Sequence, residues 1–101
     1  MNWAEIKEKY PKAWDKLRGW DFKRPAINHW RRLYDFFDEQ KIYIGIELWV
    51  KESEKQFGWV LEKYEYPLAH GYENTRFEAE EQAFEKAFEI LEEKLKTERS
   101  Q

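Results

Sequence analysis

The run from Ile42 to Lys51 constrains this chain more than any other segment. Ile42, Ile44, Ile46, Leu48 and Val50 alternate with Tyr43, Gly45, Glu47, Trp49 and Lys51. A period of two sends successive side chains to opposite faces of an extended chain. The segment therefore reads as a β-strand with one aliphatic face and one aromatic-polar face. The charged stretch Lys51-Glu52-Ser53-Glu54-Lys55-Gln56 reads as a turn. Phe57, Trp59 and Leu61 then line one face of a second strand, with Val60, Tyr64 and Tyr66 on the other. The two strands predict an antiparallel hairpin, ended by Pro67 because proline donates nothing to the ladder. Leu68 to Asn74 reads as a loop, with a third strand left open. A lone hairpin is marginal in water, so helices must cover it.

The helical signals lie on either side. Trp3, Ile6, Tyr10, Ala13, Trp14 and Leu17 recur at spacings of three and four, an amphipathic stripe. Asn2 suits an N-cap, with Glu5 three residues on, and Gly19 suits the C-cap. Pro11 interrupts the stripe. Either one helix kinks there, or a short helix ends near Lys9 and another begins with Pro11 at its first position. Ile27, Trp30, Leu33, Tyr34 and Phe37 predict a second helix over 28–39, although a strand competes for the same residues. Thr75 and Glu78 form a capping box ahead of the stripe Phe77, Phe84, Ala87, Phe88, Leu91 and Leu95. That final helix runs over 76–96, with fraying expected at 97–101 and a Glu92–Lys96 pair on its surface. Its aromatic stripe is the natural cover for the isoleucine face. The fold class is thus α+β: a kinked N-terminal helix, a second helix, an antiparallel hairpin with room for a third strand, and a long C-terminal helix on the sheet, all in one domain over 1–101.

The opposite strand face leaves a fork. The N-terminal helices either cover Tyr43, Trp49, Val60, Tyr64 and Tyr66, or sit at the sheet edge and leave an aromatic surface open. Composition sharpens the question, because 19% of the 101 residues are aromatic and six are Trp. A disordered chain lacks such residues. The absence of cysteine excludes disulfide scaffolds, zinc ribbons and thiol catalysis. Charged residues from Glu5 to Lys9 break the N-terminus too early for a signal peptide, so a soluble cytoplasmic protein, off the membrane, is expected.

Three stretches stand out: Met1-Asn2-Trp3 with Glu5-Ile6-Lys7-Glu8-Lys9-Tyr10-Pro11-Lys12-Ala13, Leu33-Tyr34-Asp35-Phe36-Phe37-Asp38-Glu39-Gln40 with Ile42-Tyr43-Ile44, and Thr75-Arg76-Phe77-Glu78-Ala79-Glu80-Glu81 with the segment from Ala83 to Leu95. They resemble a group of small uncharacterised bacterial proteins of unknown function associated with prophages and mobile elements. The resemblance covers about half the chain and its motifs are structural. Lys41 stands where that group carries glycine, a residue suited to a helix C-cap before a strand, and Trp20 to His29 also differs. The resemblance implies no activity and supplies no catalytic residues.

Candidate chemistry is sparse. His29 and His70 are too few for an ordinary zinc site. Asp35, Asp38 and Glu39 share a helix face that could meet a hard cation, but a solvated face paired with Arg31 and Arg32 explains them as well. Ser53 and Ser100 lack a nucleophile's setting, and the four glycines are too scattered for a phosphate loop. No catalytic residue, metal or cofactor is expected, and the chain reads as a non-enzymatic accessory or interaction protein, a monomer or weak dimer. Its candidate partner-binding face is Tyr43, Trp49, Tyr64 and Tyr66, a set rich in the residues that anchor interfaces. The alternative is a weak single-stranded nucleic-acid binder. Residues 16–32 carry a net charge of +5 within a chain of net −3, and Trp20, Lys23, Arg24, Trp30, Arg31 and Arg32 combine stacking rings with cations. Against it stands a core role for the same tryptophans, with the basic groups paired to the acidic final helix.

Overall fold

The computed structural model describes residues 2–22, 29–51, 54–63 and 66–99. Its elements are α1 (Trp3–Lys9), α2 (Pro11–Phe22), α3 (His29–Glu39), β1 (Tyr43–Lys51), β2 (Glu54–Lys63), β3 (Tyr66–Glu73) and α4 (Arg76–Arg99). They form an α+β fold in which N-terminal helices and a long C-terminal helix pack with a three-stranded antiparallel sheet of order β1-β2-β3.

The break at Pro11 takes the second of its two readings. α1 starts on Asn2, whose side chain accepts from the Glu5 N–H at 3.2 Å, and ends at Tyr10. Pro11 then opens α2 at the position where its missing donor costs nothing. Gly19 does not end that helix, which continues to Phe22. Trp20, one residue past the glycine, packs its ring 5.6 Å from Phe36 of α3, and this contact favours another helical turn.

α3 ends in a Schellman motif. The Ile42 N–H donates to Phe37 O at 2.9 Å and the Lys41 N–H to Asp38 O at 3.0 Å. Lys41 adopts φ 64°, the left-handed conformation for which glycine is suited. The departure from glycine therefore leaves helix followed by strand intact. The buried pair Phe37 and Ile42 supplies the apolar contact that accompanies this motif.

β1 and β2 pair from Tyr43↔Glu62 to Lys51↔Glu54. Residues 66–73 form a strand rather than a loop. They pair with β2 from Phe57↔Glu73 to Lys63↔Tyr66, across an irregularity at Leu61/Glu62. Tyr66 accordingly belongs to β3, and Pro67 lies inside β3 near its start, on an edge strand where proline is tolerated. Gly71 admits the strand beside Trp59, for a Cβ there would lie 2.6 Å from the Trp59 ring.

The core is built from rings between α4, α3, the N-terminal helices and one sheet face. Phe36, Phe37, Phe84 and Phe88 are fully buried. Phe37 meets Phe88 edge-on at 5.0 Å, and Tyr34 meets Phe84 in the same way at 5.0 Å. Trp3, Trp14, Trp20 and Trp59 pack around this cluster. Ala79, Ala83 and Ala87 present no bulk beyond Cβ, which lets α4 lie close to its neighbours, and all three are fully buried. Phe77 does not join that stripe. It is 53% exposed because the buried position of the first turn is Ala79, on the other side of the helix. The covered strip of β1 also stops short, leaving Leu48 and Val50 exposed.

α4 carries a further departure. Glu92 is 2% exposed and does not pair with Lys96. Its Oε1 accepts from the Lys12 N–H at 2.8 Å and the Ala13 N–H at 2.9 Å. These are orphan donors of the first turn of α2, and Tyr10 before them has no side-chain oxygen within reach of a capping role. Lys96 instead meets Glu93 at 3.7 Å, and α4 runs on through Arg99.

Candidate sheet-face binding site

Strand alternation sends Tyr43, Gly45, Glu47 and Trp49 away from the helices. The register then places Val60 beside Gly45 and Gly58 beside Glu47, and β3 adds His70 beside Val60 and Tyr72 beside Gly58. The face is open. Tyr43 is 41%, Trp49 53% and Tyr72 58% exposed, and Glu47, Glu62 and His70 are exposed too. The fork in the sequence reading thus resolves towards an uncovered surface, because α2 packs on α4 and α3 while α3 and α4 take the other side of the sheet.

Gly58 organises the centre of this face. It is buried although the surface around it is not. A Cβ on it would stand 3.0 Å from Trp49 Nε1 and 3.3 Å from Tyr72 Cε1. The two rings therefore lean over bare backbone from the strands on either side. Neither ring pairs with another aromatic among the described residues. A groove of about 210 Å³ runs beside them, with Glu47, Val60, Glu62 and His70 along it. Among the described residues, no Lys or Arg lines it. Glu47 and Glu62 have no ion-pair partner among the described residues.

Of the partner face read from sequence, Tyr43 and Trp49 lie on this surface. Tyr64 falls outside the described residues, and Tyr66 is placed as backbone of β3 alone. Glu47 lies on the face that alternation assigns it, while Tyr72, Gly58 and Glu62 complete the surface and go unmarked by sequence reasoning. The alternation of His70 and Tyr72 with Ala69 and Gly71 is the signal that could have found Tyr72, but Pro67 obscures it.

The basic-aromatic segment is arranged differently. Trp20 is partly buried against Phe36, and its indole N–H donates to the Glu39 carboxylate. Arg31 is exposed and Arg32 half-buried on α3. Lys23 and Arg24 lie outside the described residues, as does the side chain of Trp30. Of the six residues, Trp20, Arg31 and Arg32 have described side chains, the first on α2 and the other two on α3.

Tyr34 donates to Glu80 at 3.1 Å. Burial, and then the Glu80 charge, push its phenol well above the usual tyrosine range. Burial and the neighbouring Asp35 push the Asp38 carboxyl upward. Among the described residues no group of three or more His, Asp or Glu side chains is placed to hold a metal ion, and no helix is long and apolar enough to cross a membrane. A second, more polar groove of about 700 Å³ lies between α4 and β3, beside Tyr10, His70, Glu85 and Glu89, at the edge held by the Lys9–Glu85 pair at 3.4 Å. Comparison with family models, with curated proteins and with solved structures found no match to this chain.

Proposed function

We propose that this protein is a small interaction module, not an enzyme, and that it binds a protein partner through the sheet face centred on Trp49 and Tyr72. One observation carries the reading: large aromatic side chains stand exposed on the side of the sheet that no described helix covers. Folding uses bulky aromatics elsewhere in this chain to fill a small core, so an exposed Trp-Tyr pair over a glycine is not explained by packing. Tryptophan and tyrosine are the residue types that dominate interface energetics. Binding of single-stranded nucleic acid draws less support, since Trp20 already has ring and hydrogen-bond partners within the fold. A role among prophage or mobile-element cargo is the setting the sequence resemblance implies.

The test is selection of a random short-peptide library on the wild-type chain, with counter-selection on a Trp49→Ala/Tyr72→Ala double variant of matched thermal stability. Enriched peptides are expected to bind wild type and lose the double variant. If no enriched peptide distinguishes the two proteins, the face is not the binding surface.

A further inference from the structure

We propose that the Trp49–Tyr72 groove takes arginine side chains from a basic segment of its protein partner, the guanidinium lying against the rings and its charge met by Glu47 and Glu62. The inference rests on the sheet-face reading above and names the chemistry of its partner.

Four observations converge on a cation. The rings of Trp49 and Tyr72 are exposed and unpaired with other aromatics among the described residues. An uncovered ring face carries negative electrostatic potential, and tryptophan is the strongest side-chain partner for a cation. Glu47 shares a row with Gly58 and Tyr72 across the three strands, so its carboxylate starts about one or two strand spacings from the rings. Glu62 lines the same groove, giving it two carboxylates that, among the described residues, have no ion-pair partner and no lining Lys or Arg beside them. An acidic peptide or a phosphate backbone would set like charge against that pair.

The shape selects arginine over lysine. A guanidinium is planar, stacks on aromatic faces and offers a fork of donors to a carboxylate, whereas an ammonium is a strongly hydrated point charge. The groove offers a ring surface and carboxylates together, and Val60 on its floor suits an alkyl stem. The bare backbone at Gly58 lets both rings approach the sheet more closely than a Cβ there would allow.

The test follows the Trp49 indole N–H by ¹H–¹⁵N NMR, assigned through Trp49→Phe. The probe is a short peptide of alternating arginine and glycine, against the same peptide with each arginine replaced by citrulline, which keeps the shape and removes the charge. The arginine peptide is expected to shift the Trp49 resonance, and to bind less tightly as salt rises. A Glu47→Gln/Glu62→Gln double variant, both sites being exposed, should bind about tenfold more weakly while keeping its thermal stability. Equal binding of the citrulline peptide overturns the proposal, as does an unmoved Trp49 resonance at about 1 mM arginine peptide, the weak end of useful recognition. The library selection separates this failure from that of the face itself. Enrichment of neutral or acidic peptides that still require Trp49 and Tyr72 removes the cation and keeps the face, whereas enrichment of arginine-bearing ones supports both.

Discussion

Glu92 accepts two main-chain N–H groups that would otherwise be orphaned at the start of α2. A carboxylate at that end also meets the positive pole of the helix dipole. Its other oxygen is buried without a hydrogen-bond partner among the described residues, so the arrangement is held by the cap and not by a fully satisfied carboxylate. Glu92→Ala is expected to cost about 2 kcal/mol, the scale of a lost cap whose acceptor is charged. Glu92→Gln, which keeps an acceptor oxygen, should cost about half as much. Urea denaturation measures both, and a Glu92→Ala loss under about 0.5 kcal/mol would mean that water caps α2 equally well. Tyr34 gives a second residue-scale prediction, in pH. Its phenol is raised above the ordinary 10.0 in the folded chain, so its contribution to stability is fully present below about pH 10 and is lost as pH climbs through the folded value. Tyr34→Phe should therefore be less stable than wild type by about 1 kcal/mol at pH 7, and the difference should shrink above pH 10. A gap that stays constant into strong alkali would show that the hydroxyl makes no linked contribution.

At the scale of elements, the junction between α3 and β1 is set by one strained residue. Lys41 holds a left-handed backbone that costs a non-glycine residue about 1 kcal/mol. Lys41→Gly should raise stability by up to about that amount, the relief of strain being partly offset by glycine's greater freedom when unfolded. Thermal unfolding checks this, and a destabilised variant would show that the lysine side chain is itself needed. The elements also differ in how far they can be read from their own residues. β1 and α4 are legible because Ile42 to Val50 and Phe84 to Leu95 repeat with a regular period, and the split at Pro11 follows from proline's missing donor. β3 is not, since Pro67, His70 and Gly71 have loop character, and the strand forms because the β2 edge needs pairing and Trp59 needs a bare backbone beside it. The aromatic face is half legible for the same reason: Tyr43 and Trp49 come from the regular strand, Tyr72 from the irregular one. Glu92 looks like one more solvated glutamate, because its partners lie 79 and 80 residues away in sequence.

For the molecule as a whole, the sheet divides the aromatic residues into two populations. Among the described residues, the rings on the helical side are consumed by the core, Phe77 excepted, while on the other side Tyr43, Trp49 and Tyr72 stand in solvent. Truncation should separate the two by free energy. Phe84→Ala, in the fully buried cluster, should lose about 3–5 kcal/mol, whereas Trp49→Ala should stay within about 1 kcal/mol of wild type. A Trp49→Ala loss near 3 kcal/mol would make that ring a structural member and remove the basis for a binding face. The long-range cap also orders events in time. At about 5–20 residues per second, a ribosome reaches Glu92 roughly 4–16 s after Lys12, since 80 residues separate them. Throughout that interval α2 lacks the acceptor that fastens its first turn, and the apolar side of α1 and α2 has no α4 to rest on. α1 and α2 are thus made before the helix that secures them, and a nascent chain of this sequence offers the tryptophans of these helices to chaperones before it can bury them.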